Sequence, residues 1–197
     1  MTYNGGLTRE QFLFYETRTV ARLMLEGCTL EDVICCVHKE NLFQFPTERM
    51  ISSIAKTCYR RLGSMNSEEL VYLLANATSS VGKQINLYAM MKDNRVVWDF
   101  MTTVIGEKFR TQEFDFAKRD LNLFFFRLQE QDDGVASWSE STVTKIKQVL
   151  IKSLVECDYL DSHRSAVLNA VSIVPELEDG IRANRDFAAL AAFNCFR

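Results

Sequence analysis

An all-α fold is predicted by three observations on this sequence. Only two prolines and eight glycines interrupt 197 residues. Leu, Ala, Glu, Lys, Arg, Met and Gln, the better helix formers, are plentiful. Apolar residues also recur at steps of three and four along most of the chain, the period of a half-buried helix. With 47% hydrophobic residues, the chain has material for a sizeable core, built as one compact helical bundle or as two small lobes.

The elements follow in order. Thr8 and Gln11 form a capping box predicted to open a helix running to Glu26, where Gly27 stops it. Thr29 caps a second helix through Lys39, with Leu30, Val33, Ile34 and Val37 inward. Thr47 starts a third, with Ile51, Ile54, Ala55, Cys58 and Leu62 on its apolar face and Gly63 at its end. Ser67 opens a fourth to Asn76, Ser79 or Ser80 a fifth to Lys92, and Arg95 a sixth to Phe109. A seventh follows Asp115, and its Phe124-Phe125-Phe126 run reads as core. The polar stretch 129–134 (QEQDDG) is the best boundary between an N-terminal lobe, 1–131, and a C-terminal lobe, 135–197. An eighth helix spans Ser141 to Cys157. The pattern in 166–174 fits a short strand or another helix equally. Pro175 suits the first position of a helix to Ala183, and Asp186 caps a last one, Phe187 to Phe196.

Composition excludes several classes. A net charge of -3, from 23 basic and 26 acidic residues, is not that of a polybasic nucleic-acid binder, although clustering matters more than the sum. Six cysteines at 28, 35, 36, 58, 157 and 195 lack a Cys-x-x-Cys pair and match a reducing compartment. The first residues contain no secretion signal, and the longest apolar run, Leu121 to Leu128, is broken by Asn122 and Arg127, far short of the roughly 18–20 residues that span a bilayer. The expectation is a cytoplasmic protein without a membrane segment. Nucleotide-loop, nucleophile-elbow and metalloprotease motifs are all missing, and His38 and His163 are the only histidines. Cys35 and His38 share a helix face, but no second pair completes a metal site. Neither enzyme, metal nor cofactor is expected.

Two helices carry more information. On the third, Arg49, Ser53, Lys56 and Arg60 stand at steps of four, three and four opposite the apolar stripe, with Arg61 adjacent and no acid between Arg49 and Arg61. The eighth repeats the design with Ser141, Lys145, Gln148 and Lys152, against Val143, Ile146, Leu150 and Leu154; Lys147 adds a third lysine and no acid intervenes. Hydroxyls at a helix start and cations along its face suit phosphate, and Gln148 suits a base edge. Such a stripe is also what any solvated amphipathic helix displays. The charge is nevertheless uneven, since 155–186 holds seven acids against three arginines. Both basic helices end pairs of roughly helix-turn-helix proportions, Thr29–Lys39 with Thr47–Arg61 and Phe116–Gln131 with Ser141–Cys157, though their connections are long.

Gly6-Leu7-Thr8 with Phe12-Leu13-Phe14 and Glu16-x-Arg18, Glu40-Asn41-Leu42, Arg60-Arg61-Leu62, Asn86-Leu87-Tyr88, and Trp138-Ser139-Glu140-Ser141-Thr142 with Lys145, Ile146 and Lys147 together resemble the BrxA family of bacterial BREX phage-defence systems. The resemblance is clearest up to Leu160. It implies a small non-enzymatic accessory protein, DNA-binding, with a fold similar to the NusB antitermination proteins and with other BREX proteins as partners. The expected function is therefore binding of double-stranded DNA. Arg49, Lys56, Arg60, Arg61, Lys145, Lys147 and Lys152 would neutralise phosphates, and Ser139, Ser141 and Thr142 would donate hydrogen bonds beside Gln148. A protein-binding scaffold and an RNA binder are the alternatives.

Overall fold

Side-chain caps fix several helix starts in the computed structural model, which describes residues 2–196. A 3-10 turn, Gly5–Thr8, begins where the Asn4 side chain accepts the Gly6 amide. The first helix, α1 (Phe14–Leu25), starts later than Thr8. Thr8 instead donates its hydroxyl to the Gly5 carbonyl, and Leu13 takes a left-handed conformation at φ 50°. That backbone costs a non-glycine residue about 1–2 kcal/mol. It is partly offset by Thr17, whose amide and hydroxyl both donate to the Leu13 carbonyl, at 2.9 and 2.7 Å.

Leu13 is also where the chain passes between two compact units. One comprises residues 13–93. Its helices are α1, α2 (Leu30–Lys39), α3 (Glu48–Ser64), α4 (Glu68–Asn76) and α5 (Ser79–Asp93). Thr29 and Asp32 form a reciprocal capping box on α2, and Thr47 and Ser67 accept the Met50 and Leu70 amides to start α3 and α4. α5 is buried continuously from Gln84 to Met91 and packs against α1, α3 and α4, so it is the inner helix of this unit.

The other unit joins residues 2–12 to 94–196. Asn94, buried, caps α6 (Arg95–Phe100) by accepting the Val96 and Val97 amides. The single helix predicted over Arg95–Phe109 is interrupted by a π-helical segment, Met101–Ile105, before α7 (Gly106–Thr111). Here the Thr102 and Thr103 hydroxyls donate to the Trp98 and Asp99 carbonyls at 2.9 and 2.6 Å, competing with the backbone ladder for its acceptors. α8 (Lys118–Gln131), α9 (Asp133–Ala136), α10 (Glu140–Glu156), α11 (Pro175–Ala183) and α12 (Ala188–Ala192) follow. The core of this unit is aromatic: Phe124 stands 5.5 Å from Phe100 and 5.3 Å from Phe125, and Phe109 lies 5.9 Å from Tyr159. The three-phenylalanine run divides, since Phe126 is 58% exposed.

The boundary expected at 129–134 lies elsewhere. That stretch ends α8 and begins α9, with the Asp132 carboxylate capping the Val135 amide, so its polarity reflects an exposed helix end and a cap; the divisions fall at 12/13 and 93/94. The undecided segment 166–174 is neither helix nor strand among the described residues. It runs alongside 114–116, with the Phe116 amide donating to Ala166 and the Leu168 amide to Phe114 around one antiparallel bridge between Asp115 and Val167. No helix of the described residues is long and apolar enough to cross a membrane.

Candidate nucleic-acid interface

α10 begins at a hydroxyl cluster. The Ser139 hydroxyl accepts the Thr142 amide at 3.2 Å and lies 3.0 Å from both the Ser141 and the Thr142 hydroxyls. Ser139 is thus first a helix cap, with its oxygen used inward, while Ser141 is exposed and Thr142 is half-buried. Along the next three turns Val143, Ile146, Leu150 and Leu154 are buried and Lys145, Gln148 and Lys152 are exposed. The 3.6-residue period explains both rows. Lys152 donates to the Gln11 carboxamide at 3.3 Å, which tethers the face of α10 to the chain just after the Gly5–Thr8 turn.

Lys147 does not share that outer row. Its ammonium donates to the Asn122 side chain at 2.8 Å and lies 5.4 Å from the centre of the Phe125 ring. Partial burial pushes its pKa below the ordinary lysine value, with Glu140 pulling the other way. It therefore binds α8 to α10 more than it faces solvent.

The basic row of α3 is less available. Arg49, Ser53 and Lys56 are exposed. Arg60, though its side chain is 53% exposed, is clamped by the nearly buried carboxylate of Asp93 at 2.6 and 2.9 Å. Arg61 is fully buried and lies 3.6 Å from the same carboxylate. The expectation that Arg61 meets phosphate is corrected: a side chain with no solvent exposure cannot reach a ligand, and its charge serves the packing of α3 on α5. Sequence spacing hid this because Arg61 sits one step from Arg60, on the flank that turns inward toward Leu62.

Residues remote in sequence complete the α10 face. Thr8, Gln11 and His163 join Lys145, Gln148, Val149, Ile151 and Lys152 around a cavity of about 550 Å3. Among the described residues no carboxylate lines it. Thr8 and Gln11 come from the segment read as a helix start, and the rarity of histidine was the one signal that singled out His163. A second cavity in this unit, about 600 Å3, is lined by Asp99, Glu107, Glu113 and Asp120 as well as Arg95, Lys108 and Arg127, so the lack of acids beside α10 is a local property. Among the described residues no group of three or more His, Cys, Asp or Glu side chains is placed to hold a metal ion.

Comparison with known proteins places the chain. The BrxA family model matches residues 1–185. The chain is 33% identical over 162 residues to BREX protein BrxA of Bacillus cereus (strain H3081.97), covering 82% of this chain and 80% of that one. It is 25% identical over 178 residues to BREX protein BrxA of Escherichia coli O9:H4 (strain HS), covering 88% and 81%. The fold is similar to the crystal structure of an uncharacterized protein from Magnetospirillum magneticum, at a TM-score of 0.83 and 22% identity, over 97% of each chain. A family match of this extent, joined to a relative that shares a third of its positions, makes the chain a member of the BrxA family.

Proposed function

We propose that this protein is a non-enzymatic component of a BREX defence system that binds double-stranded DNA, with the exposed face of α10 as its principal contact. The observation that carries this reading is the row Ser141, Lys145, Gln148 and Lys152, exposed, free of intervening acids and continued by Thr8, Gln11 and His163. Lysines held near a surface without carboxylates release counterions when they meet a phosphate backbone, and hydroxyl and carboxamide groups fix its register. Arg49, Ser53 and Lys56 on α3 offer a second, smaller set. Arg60, already engaged by Asp93, adds little.

The test is a gel-shift titration with duplex DNA at several salt concentrations. The affinity is expected to fall steeply as salt rises and to collapse in a Lys145→Glu/Lys152→Glu variant. Binding that ignores salt and survives this charge reversal overturns the reading.

A scaffold role has one supporting observation. On α8, Leu123 and Phe126 are three residues apart and 49% and 58% exposed, an apolar pair of the sort protein interfaces use. Co-purification of another BREX protein through high salt and nuclease, lost in Leu123→Ser/Phe126→Ser, tests it.

A further inference from the structure

The cavity beside α10 is larger and chemically more varied than contact with a single backbone phosphate requires. Two lysines and a histidine converge on it with no carboxylate among its lining residues. Lys145 and His163 have no ion-pair partner among the described residues. The two lysine ammonium groups, gathered without acids, repel one another, so the arrangement calls for an anion to complete it. Elsewhere in the same unit the fold does pair its cations internally: Lys108 lies 3.4 Å from Asp120, and Arg119 lies 2.6 Å from Asp115. The other lining groups are of a different kind. Gln148, exposed, presents a donor and an acceptor, the combination that reads the edge of a nucleobase, and the Gln11 carboxamide beside it holds Lys152 in place. Val149, buried, and Ile151, half-buried, supply an apolar wall against which a ring can lie. The volume, about 550 Å3, falls in the range of roughly 300–1,000 Å3 typical of small-molecule sites.

We infer that this cavity is a binding site for a nucleoside 5′-monophosphate, either free or as the phosphorylated end of a strand. Lys145, Lys152 and His163 take the phosphate, with Lys152 steadied by Gln11, while Gln148 takes the base edge against Val149 and Ile151. Thr8, whose hydroxyl donates to Gly5, offers its oxygen as an acceptor at the rim. Because the site overlaps the face assigned to duplex DNA, its occupancy competes with duplex binding; this consequence rests on the proposed function, whereas binding of the nucleotide does not.

Calorimetric titration of the full chain with AMP, with inorganic phosphate alone and with adenosine alone tests the inference. AMP is expected to saturate one site, and to bind at least about tenfold more tightly than either fragment. Lys145→Ala is expected to weaken AMP about tenfold. Arg119→Ala, an exposed cation of the same unit outside the cavity, should leave AMP binding unchanged. No saturable AMP binding, equal binding by Lys145→Ala, or phosphate binding as tightly as AMP would each overturn it. A duplex arm separates the two readings. AMP that binds but cannot displace a duplex, with duplex affinity intact in Lys145→Ala, removes α10 from the DNA interface and leaves the nucleotide site standing. A duplex lost in Lys145→Ala with no AMP bound does the reverse. If a 5′-phosphorylated blunt duplex displaces AMP better than its 5′-hydroxyl counterpart, the ligand is a strand end; equal displacement makes it the free nucleotide.

Discussion

α3 and α10 are alike in sequence and unlike in use. Both are 17-residue helices with hydroxyl caps and a polar row at steps of four, three and four. In α3 the basic residues nearest its C-terminus are absorbed by the fold: Asp93, at the end of α5, takes Arg60 and stands beside the buried Arg61. In α10 two lysines meet neutral groups: Lys147 is drawn in by Asn122 and Phe125, and Lys152 is tethered to Gln11. Lys145 and Lys152 stay exposed. A basic stripe thus stays available to a ligand only where the neighbouring helix supplies no acid.

The largest expected difference between the two helices is in stability. Asp93→Ala removes the carboxylate beside buried Arg61 and is expected to cost about 3–5 kcal/mol in urea denaturation. Lys147→Ala on α10 should cost under about 1 kcal/mol, because a partly exposed cation over a ring contributes little. Comparable losses would mean that the two helices use their charges alike.

Duplex affinity gives the next difference. Lys145→Ala with Lys152→Ala is expected to weaken binding tenfold or more, about 1.4 kcal/mol, in fluorescence anisotropy near 0.1 M salt. Arg60→Ala should change it about twofold at most, since Asp93 already neutralises that guanidinium. The caps then separate folding from binding. Thr47→Ala and Ser139→Ala should each cost about 1 kcal/mol of stability, but Ser139→Ala should weaken the duplex more, because its hydroxyl cluster borders the principal contact on α10.

The smallest effect is a pH dependence at Lys147. Burial lowers its pKa in the folded state, so the folded chain binds its proton less readily than the unfolded chain. Stability should therefore rise as pH rises from the folded pKa toward the ordinary value of 10.5. Urea midpoints followed over that alkaline window should show a rise that Lys147→Met abolishes.

Much of the helical pattern was legible because caps are local. Thr29, Thr47, Ser67 and Pro175 start helices within a residue of where the sequence puts them. The Thr8 capping box failed because Leu13 breaks the chain with a left-handed residue, a conformation that leucine does not advertise. The π-helical segment at Met101–Ile105 and the extended path of 166–174 depend on partners distant in sequence, so periodicity could not find them. At the candidate site, the exposure of Lys145, Gln148 and Lys152 followed from spacing alone. The burial of Arg61 and the capture of Arg60 did not, because both depend on Asp93, a residue 33 positions from Arg60. Thr8, Gln11 and His163 were equally out of reach.

The most direct test is the salt dependence of duplex affinity, measured as the slope of log K against log salt for the unaltered protein, Lys145→Ala/Lys152→Ala and Arg60→Ala. Each DNA phosphate that the protein ceases to neutralise lowers the slope by about one. The slope is expected to be smaller by about two in the α10 pair and nearly unchanged in Arg60→Ala. An unchanged slope in the α10 pair, or a larger drop at Arg60, would mean that α10 is not the principal contact.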